Sequence, residues 1–337
     1  MIRAWRYREG TDQPEAIEGT ALPQPSSDAL LWIDCVHASD DELELLGAHL
    51  RLSKFVIEDL QQGEHRTKLD RYGDHFHIAV HDCELRGDLD DLEANVELAM
   101  REIDLVFGDG WLLSVCQENG EEQQPHPPID AVRRTFERQR GADGTTEEGF
   151  LLWALLDMVV DRYLLVNDAV DDRLDALQEV VLDDDVDRIR RGRPRQLFDT
   201  SKSLLRFRRA ALPLREVIGQ LLRRDVPNIG PVALAHFQDL YDHILLVADL
   251  AESQRDVLTG LRDADLAVTS NQMSLVQQKI ASWGALLLIA TLITGFLGMN
   301  FRDAPDVSWE EGFLWIGGVV LVLGGPMYLY FRRRKWL

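Results

Sequence analysis

The chain has 337 residues, with 36 Lys and Arg against 58 Asp and Glu and a formal net charge of -22. So acidic a polymer argues against a nucleic-acid partner, because phosphate backbones attract the opposite sign. The three cysteines, Cys35, Cys83 and Cys116, are far apart, lack zinc-type spacing, and fit buried, reduced thiols of a cytoplasmic domain.

Met1-Ile2-Arg3-Ala4-Trp5-Arg6 lacks the apolar run of a secretory signal, so none is expected. Residues 1–145 read as a mixed α/β domain. Ala29-Leu30-Leu31-Trp32-Ile33-Asp34 predicts a strand, followed by a helix capped near Ser39-Asp40. Phe76, Ile78 and Val80 alternate along a second strand and point to a core. The opposite face of that strand carries His75, His77, Ala79 and His81. Three imidazoles on one face suggest zinc, but six residues of strand span about 20 Å, so no single ion joins the end pair. The expectation is a polar, solvent-facing strip. Ile103-Leu105-Phe107 and Trp111–Val115 flank Gly108-Asp109-Gly110, which reads as a hairpin. A proline-rich loop from Gln123 to Pro128 closes this section.

Residues 146–279 become helical. Apolar residues recur at three- and four-residue intervals from Phe150 to Leu182, with an acidic later half. An arginine-rich segment follows, Arg188 to Arg224, expected to pair with those acids. Between Pro231 and Pro305 there is no proline, so one helix of about 65 residues and about 100 Å can run from near Val232 into the apolar C-terminal region. Only about 30 Å of it fits in hydrocarbon. The remainder is expected to form a stalk that needs neighbouring subunits to cover its apolar face.

Residues 280–337 read as a transmembrane hairpin. Ile280–Leu297 and Gly312–Phe331 are free of charge, and each is long enough to cross a bilayer. The closing Arg332-Arg333-Arg334-Lys335 places the C-terminus in the cytoplasm by the positive-inside rule, and two crossings return the N-terminal bulk to the same side. The loop between them holds Asp303, Asp306, Glu310 and Glu311 against Arg302, a collar that would attract cations.

Stepped at seven residues, the long helix reads Asp242, Asp249, Asp256, Asp263, Ser270, Gln277, Gly284, Thr291 and Gly298. Carboxylates give way to hydroxyl and amide, then to small residues, with Ala281, Leu288 and Gly295 interleaved. Such a stripe keeps facing one axis if the helices supercoil left-handedly. Small residues permit close helix approach in a membrane. With several copies around an axis the stripe lines a pore, with rings of carboxylates below a narrow neck.

The same stretch resembles the CorA family of divalent-cation channels. Gly298-Met299-Asn300-Phe301 sits after the first span, a short loop and second span follow, and the tail is basic and ends in Trp-Leu. Phe55–Leu60 with Lys68 and Tyr72, Leu155-Leu156-Asp157 with Asp161 and Tyr163, Leu212–Val217, and Asp239-Leu240-Tyr241-Asp242-His243 extend the resemblance over nearly the whole chain. It implies a funnel-shaped homopentamer in the inner membrane: an α+β cytoplasmic domain, a long-helix stalk and two C-terminal transmembrane helices. Mg²⁺ and Co²⁺ are the implied cargo, and the lipid bilayer and further copies of the chain are the implied partners. Gly298, Met299 and Asn300 would form the selectivity mouth. Gln277, Gly284, Leu288, Thr291 and Gly295 would line the pore, with Asp256 and Asp263 facing the inner vestibule. Asp239, and with it Asp157, would belong to a regulatory site where cytoplasmic Mg²⁺ closes the channel. A further carboxylate is expected between Asp82 and Glu93.

The sequence departs from the family pattern at several points. Ala304-Pro305-Asp306-Val307 replaces the usual loop, Ile289 a proline within the first span, Ser274 an asparagine below it, and Gln277 a bulky apolar gate. The alternatives are a zinc transporter of the related ZntB type and a membrane-anchored acidic sensor or scaffold. Met299 favours the Mg²⁺/Co²⁺ branch, and a mere anchor has no need of the small-residue stripe or Asn300. No hydrolase constellation or phosphate-binding glycine loop is visible, which argues against an enzyme or an ATP-driven pump.

Overall fold

Alternating side chains build a sheet that is buried on both faces. Along β3 (Ala29–Val36), Leu30 and Trp32 face one core while Leu31, Ile33 and Cys35 face another. The other strands are β1 (Ile2–Arg8), β2 (Glu15–Ile17), β4 (Lys68–Tyr72), β5 (His75–Arg86), β6 (Glu97–Gly108) and β7 (Trp111–Cys116). They form a seven-stranded sheet in the order β2-β1-β3-β7-β6-β5-β4. β3 and β7 are parallel, and every other neighbouring pair is antiparallel. The structure, a computed structural model, describes residues 2–11, 13–17, 22–87, 96–116, 128–143, 147–182, 193–223, 226–298, 309–334 and 336.

Two short helices, α1 (Asp40–Leu50) and α2 (Lys54–Gln62), cover one face of the sheet with Leu43, Leu46, Leu50, Val56 and Leu60. α1 begins at the expected Ser39, whose side chain accepts from the Glu42 N–H while Glu42 reaches back to the Ser39 N–H. The expected hairpin joins β6 to β7. Its Gly110 has φ of +73°, and a Cβ there would lie 2.5 Å from the Ser26 carbonyl, so only glycine fits.

The opposite face meets α3 (Ile129–Asp143), α4 (Glu148–Leu182) and α5 (Arg193–Leu222), and one continuous core joins strand residues Trp32, Ile78 and Phe107 to Phe136, Leu156, Tyr163 and Phe207. The Tyr163 hydroxyl donates to the His81 carbonyl at 2.6 Å, tying α4 to β5. α6 (Pro231–Leu297) runs unbroken for 67 residues and starts on proline, where the missing N–H costs no helical bond. Asn167 of α4 donates to the Val247 carbonyl of α6 at 3.2 Å, and Gln254 of α6 donates to the Asn167 carbonyl at 2.8 Å. α7 (Trp309–Arg333) is the last helix. The chain divides into two compact units, Met1–Leu261 and Arg262–Leu337.

Two expectations are corrected. The histidine face of β5 is not solvated: His75, His77 and Ala79 are buried, because α2 and the segment after it lie over that end of the sheet. The pairing of arginines with acids is corrected only in part: residues 183–192 and 224 lie outside the described residues, and the described α5 arginines that form ion pairs form them elsewhere than with the acidic half of α4. Arg206 pairs with Glu97 of β6, Arg208 with Glu252 of α6, and Arg195 with Asp199 of its own helix. In α4, Asp168, Asp171, Asp172, Asp175 and Glu179 face solvent instead. Cys35, Cys83 and Cys116 are free, buried thiols, and burial pushes those of Cys35 and Cys116 up to about 12.

Candidate functional site

The seven-residue stripe is exposed along α6. Asp242, Asp249, Asp256, Asp263, Ser270, Gln277, Gly284, Thr291 and Gly298 all lie open, as do Ala281, Leu288 and Gly295 between them. Ser282 and Ile293, by contrast, are only 2% and 8% exposed. They are eleven residues apart, about three turns, and so share one face. Gly284 and Thr291 stand roughly half a turn away from that face, as do Gln277 and Gly295. α6 therefore has a covered side and, opposite it, an open side that carries the small and polar residues. Leu287 is as exposed as Leu288, at 66%, so burial in one chain separates Ile293 from the stripe but not Leu287.

Hydroxyls in this stretch are satisfied within the helix. Thr291 donates to the Leu287 carbonyl at 2.9 Å, Thr294 to the Ala290 carbonyl at 3.0 Å, and Ser282 to the Gln278 carbonyl at 2.8 Å. This is what a helix in hydrocarbon requires, where no water can take up a spare donor. Among the described residues, one helix is long and apolar enough to cross a membrane, with its qualifying stretch between Pro231 and Gly295 and little of that stretch buried. Large apolar side chains stand open around it, including Ile280, Trp283, Leu287 and Leu292, and along α7 at Leu314, Leu321, Val322 and Leu329. Gly298 closes the helix, its N–H donating to the Thr294 carbonyl at 3.0 Å. Met299, Asn300 and the acidic loop lie outside the described residues.

A second locus lies where α4 meets the first part of α6. Asp157 and Asp161 project from α4 toward an electrostatic neighbourhood shared with Asp239, His236 and His243 of α6. Burial raises the proton affinity of Asp157 most. The like charge of Asp161 adds to this, His243 opposes it, and Asp239 raises it further, leaving the carboxyl at about 6. Burial likewise raises Asp161, against the pull of His243. The rings of Trp153 and His236 lie 4.5 Å apart, which holds that imidazole against α4. Asp239 and Asp157 were singled out from separate stretches of sequence, and the fold brings them together. Asp161, His236 and His243 complete the cluster. The sequence signal for them was the i, i+4 spacing of Asp157 with Asp161 and of Asp239 with His243 on helical segments. Clustered carboxylates whose ionised forms are disfavoured are relieved by protonation, by cationic side chains such as His243 here, or by a bound cation.

Of the region expected to supply a further carboxylate, Asp82 is buried and paired with Arg162 of α4 at 2.5 Å, and burial outweighs that pair and raises its carboxyl to about 6. Residues 88–95 lie outside the described residues.

Comparison with known proteins gives the family and the fold. Residues 27–333 match the family described as CorA-like Mg²⁺ transporter protein. The chain is 27% identical, over 94% of its length and 86% of the relative's, to the cobalt/magnesium transport protein CorA of Thermotoga maritima. Its fold is similar to the complete structure of the CorA magnesium transporter from Methanocaldococcus jannaschii, with a TM-score of 0.77, 19% identity, and 100% of this chain and 99% of that one covered. It is also similar to the cytoplasmic domain of ZntB from Vibrio parahaemolyticus, at a TM-score of 0.58 and 15% identity over 80% of this chain and 98% of that domain.

Proposed function

The chain belongs to the CorA-like Mg²⁺ transporter family, and on that premise we propose that it is a passive channel for divalent cations, Mg²⁺ and with it Co²⁺. The observation that carries this reading is the exposed stripe of α6: Gln277, Gly284, Thr291 and Gly298 stand on the side opposite the covered Ser282 and Ile293, and the same seven-residue spacing continues through exposed Asp263, Asp256, Asp249 and Asp242, which share the axis if the helices supercoil left-handedly. A single chain leaves that stripe and the apolar flanks of α6 and α7 uncovered. A homopentamer in the inner membrane uses both: the flanks meet lipid and neighbouring helices, and the stripe meets the axis. In this arrangement α7 is the second span, both termini are cytoplasmic, and Gly298, Met299 and Asn300 form the outer mouth. Leu288 and Thr291 line the neck, and Asp256 and Asp263 attract cations in the vestibule. Entry follows the membrane potential, from which a divalent ion gains about 4.6 kcal/mol per 100 mV.

Regulation follows from the carboxylates at α4 and α6. Cytoplasmic Mg²⁺ held by Asp157 and Asp239 relieves their repulsion and stabilises the closed state. It does so only by the difference in its affinity for the closed and open states.

The test is ion flux into proteoliposomes with Mg²⁺, Co²⁺ and Zn²⁺ offered separately, for the wild type and Asn300→Ala. Uptake of Mg²⁺ and Co²⁺ that falls about 10-fold or more in Asn300→Ala is expected, the scale of one lost hydrogen bond to a charged group. Uptake of Zn²⁺ alone would favour the ZntB-type reading, and no flux of any ion would favour a membrane tether.

A further inference from the structure

The buried face of β5 and β6 holds a cluster outside the sites described above. Asp104 is two residues from Glu102 on the same face of β6, and Glu102 lies opposite His81 in the register. Asp59 reaches in from α2, His65 from the segment after it, and Lys68 from β4. The groups close into a ring. His65 Nδ1 lies 3.0 Å from Glu102 Oε1, and His65 Nε2 lies 3.4 Å from Asp59 Oδ1. His77 Nε2 lies 2.7 Å from Asp104 Oδ1, and His77 Nδ1 faces Asp59 Oδ2 at 3.6 Å.

The charges in this ring do not balance. Asp59, Glu102 and Asp104 bring three carboxylates, while Lys68 Nζ, 2.6 Å from Asp59 Oδ2, brings one fixed cation that it shares with Asp70 at 3.0 Å. With neutral imidazoles the ring is at least two positive charges short, in a place where His77 and Asp104 are almost wholly buried. Burial and the Asp104 charge both disfavour ionised Glu102. The deficit is met either by protons, on Glu102 or on the imidazoles, or by one divalent cation.

Two features favour the cation. His77 Nδ1 is buried and makes no hydrogen bond, though it points into the ring at a carboxylate. One ligand atom each from His65, Glu102 and Asp104 also lies within 4.8 Å of the other two. In a bound zinc site, ligand atoms stand about 3.4 Å apart, so a pair at the 4.8 Å limit needs to close by about 1.4 Å. We propose that His65, Glu102 and Asp104 form a binding site for one divalent transition-metal ion of the Zn²⁺ or Co²⁺ type, with His77 as the residue that orients Asp104. The imidazole ligand excludes Mg²⁺, which takes oxygen donors and keeps its waters. His77 donating from Nε2 to a metal-bound Asp104 is the usual outer-sphere support of a ligating carboxylate. His65 is partly exposed and gives the ion a way in from solvent. His75 does not share the site, since its Nε2 accepts from the Ser53 N–H at 3.3 Å and its Nδ1 faces Asp74 at 3.0 Å.

The experiment uses the purified full-length protein in detergent, dialysed against Co²⁺ in excess Mg²⁺. Bound Co²⁺ per chain and its visible absorption are measured for the wild type, His65→Gln, Asp104→Asn and, as a control on the exposed side of α1, Glu44→Gln. His65→Gln and Asp104→Asn are expected each to lose one equivalent per chain together with its band, while Glu44→Gln keeps both. Zn²⁺ should displace the Co²⁺ and bleach the band. Unchanged stoichiometry and spectrum in His65→Gln would overturn the site and leave the ring held by protons. Should the variants not fold, the wild type decides. Zn²⁺ is expected to protect His65 from diethyl pyrocarbonate in a peptide map, and equal labelling with and without Zn²⁺ would overturn the site.

Discussion

The carboxylate of Asp239 on α6 raises the proton affinity of Asp157 on α4. Burial first, then the like charge of Asp161, and with them Asp239 put Asp157 at about 6, against 3.8 for a free aspartate. Between those two values the folded chain holds a proton that the unfolded chain has released, so stability falls as pH rises through this window. Asp157→Asn should remove part of that slope and stabilise the fold by about 1–2 kcal/mol at neutral pH, after allowance for partial exposure. Some slope should persist, because Asp161 is raised as well. Thermal unfolding of both proteins between pH 4 and pH 7 checks this, and parallel curves would exclude the electrostatic account.

The same neighbourhood predicts how Mg²⁺ acts from the cytoplasmic side. Asp239→Ala removes one carboxylate from the cluster and should weaken inhibition by internal Mg²⁺. The midpoint should move upward by about 10-fold if roughly 1.4 kcal/mol of ion affinity is lost. Current recorded while cytoplasmic Mg²⁺ is stepped through the millimolar range measures it. An unchanged midpoint would make Asp239 an ordinary surface aspartate.

Opposite faces of α6 should differ in thiol chemistry. Cysteine at Thr291 lies on the open stripe, and a charged thiol reagent should block flux through it. Cysteine at Ile293, which is 8% exposed in the chain, should be protected. Flux before and after reagent separates the two positions, and equal block at both would show that the stripe does not face the axis.

Packing of α4 on the sheet has its own test. Tyr163 is fully buried and its hydroxyl donates to the His81 carbonyl at 2.6 Å. Tyr163→Phe keeps the ring and deletes the donor, and should cost about 1 kcal/mol. Denaturant titration of the purified protein reads it directly. The midpoint should fall with the slope against denaturant unchanged.

What could be read from the sequence was whatever neighbouring residues decide. The absence of proline between Pro231 and Pro305 allowed one continuous helix, and α6 runs from Pro231 to Leu297. Alternation at Phe76, Ile78 and Val80 marked the face of β5 that meets α4 and α5. Ser39-Asp40 marked the start of α1, because a helix cap is a local signal, and the structure adds the Glu42 half of a capping box there. The seven-residue stripe was visible because a helix turns a fixed angle per residue. Tertiary structure alone decided what covers a face and which distant groups meet. Alternation shows that His75, His77 and His81 share a side but not that α2 lies over it, so the strip expected in solvent is buried. Nothing local links His65 to Glu102, or Asp157 to Asp239. Each pair is joined by chain folding that brings a helix or loop onto a strand or helix far away in sequence. Burial then turns that proximity into chemistry, because charges that water would screen interact strongly once it is excluded.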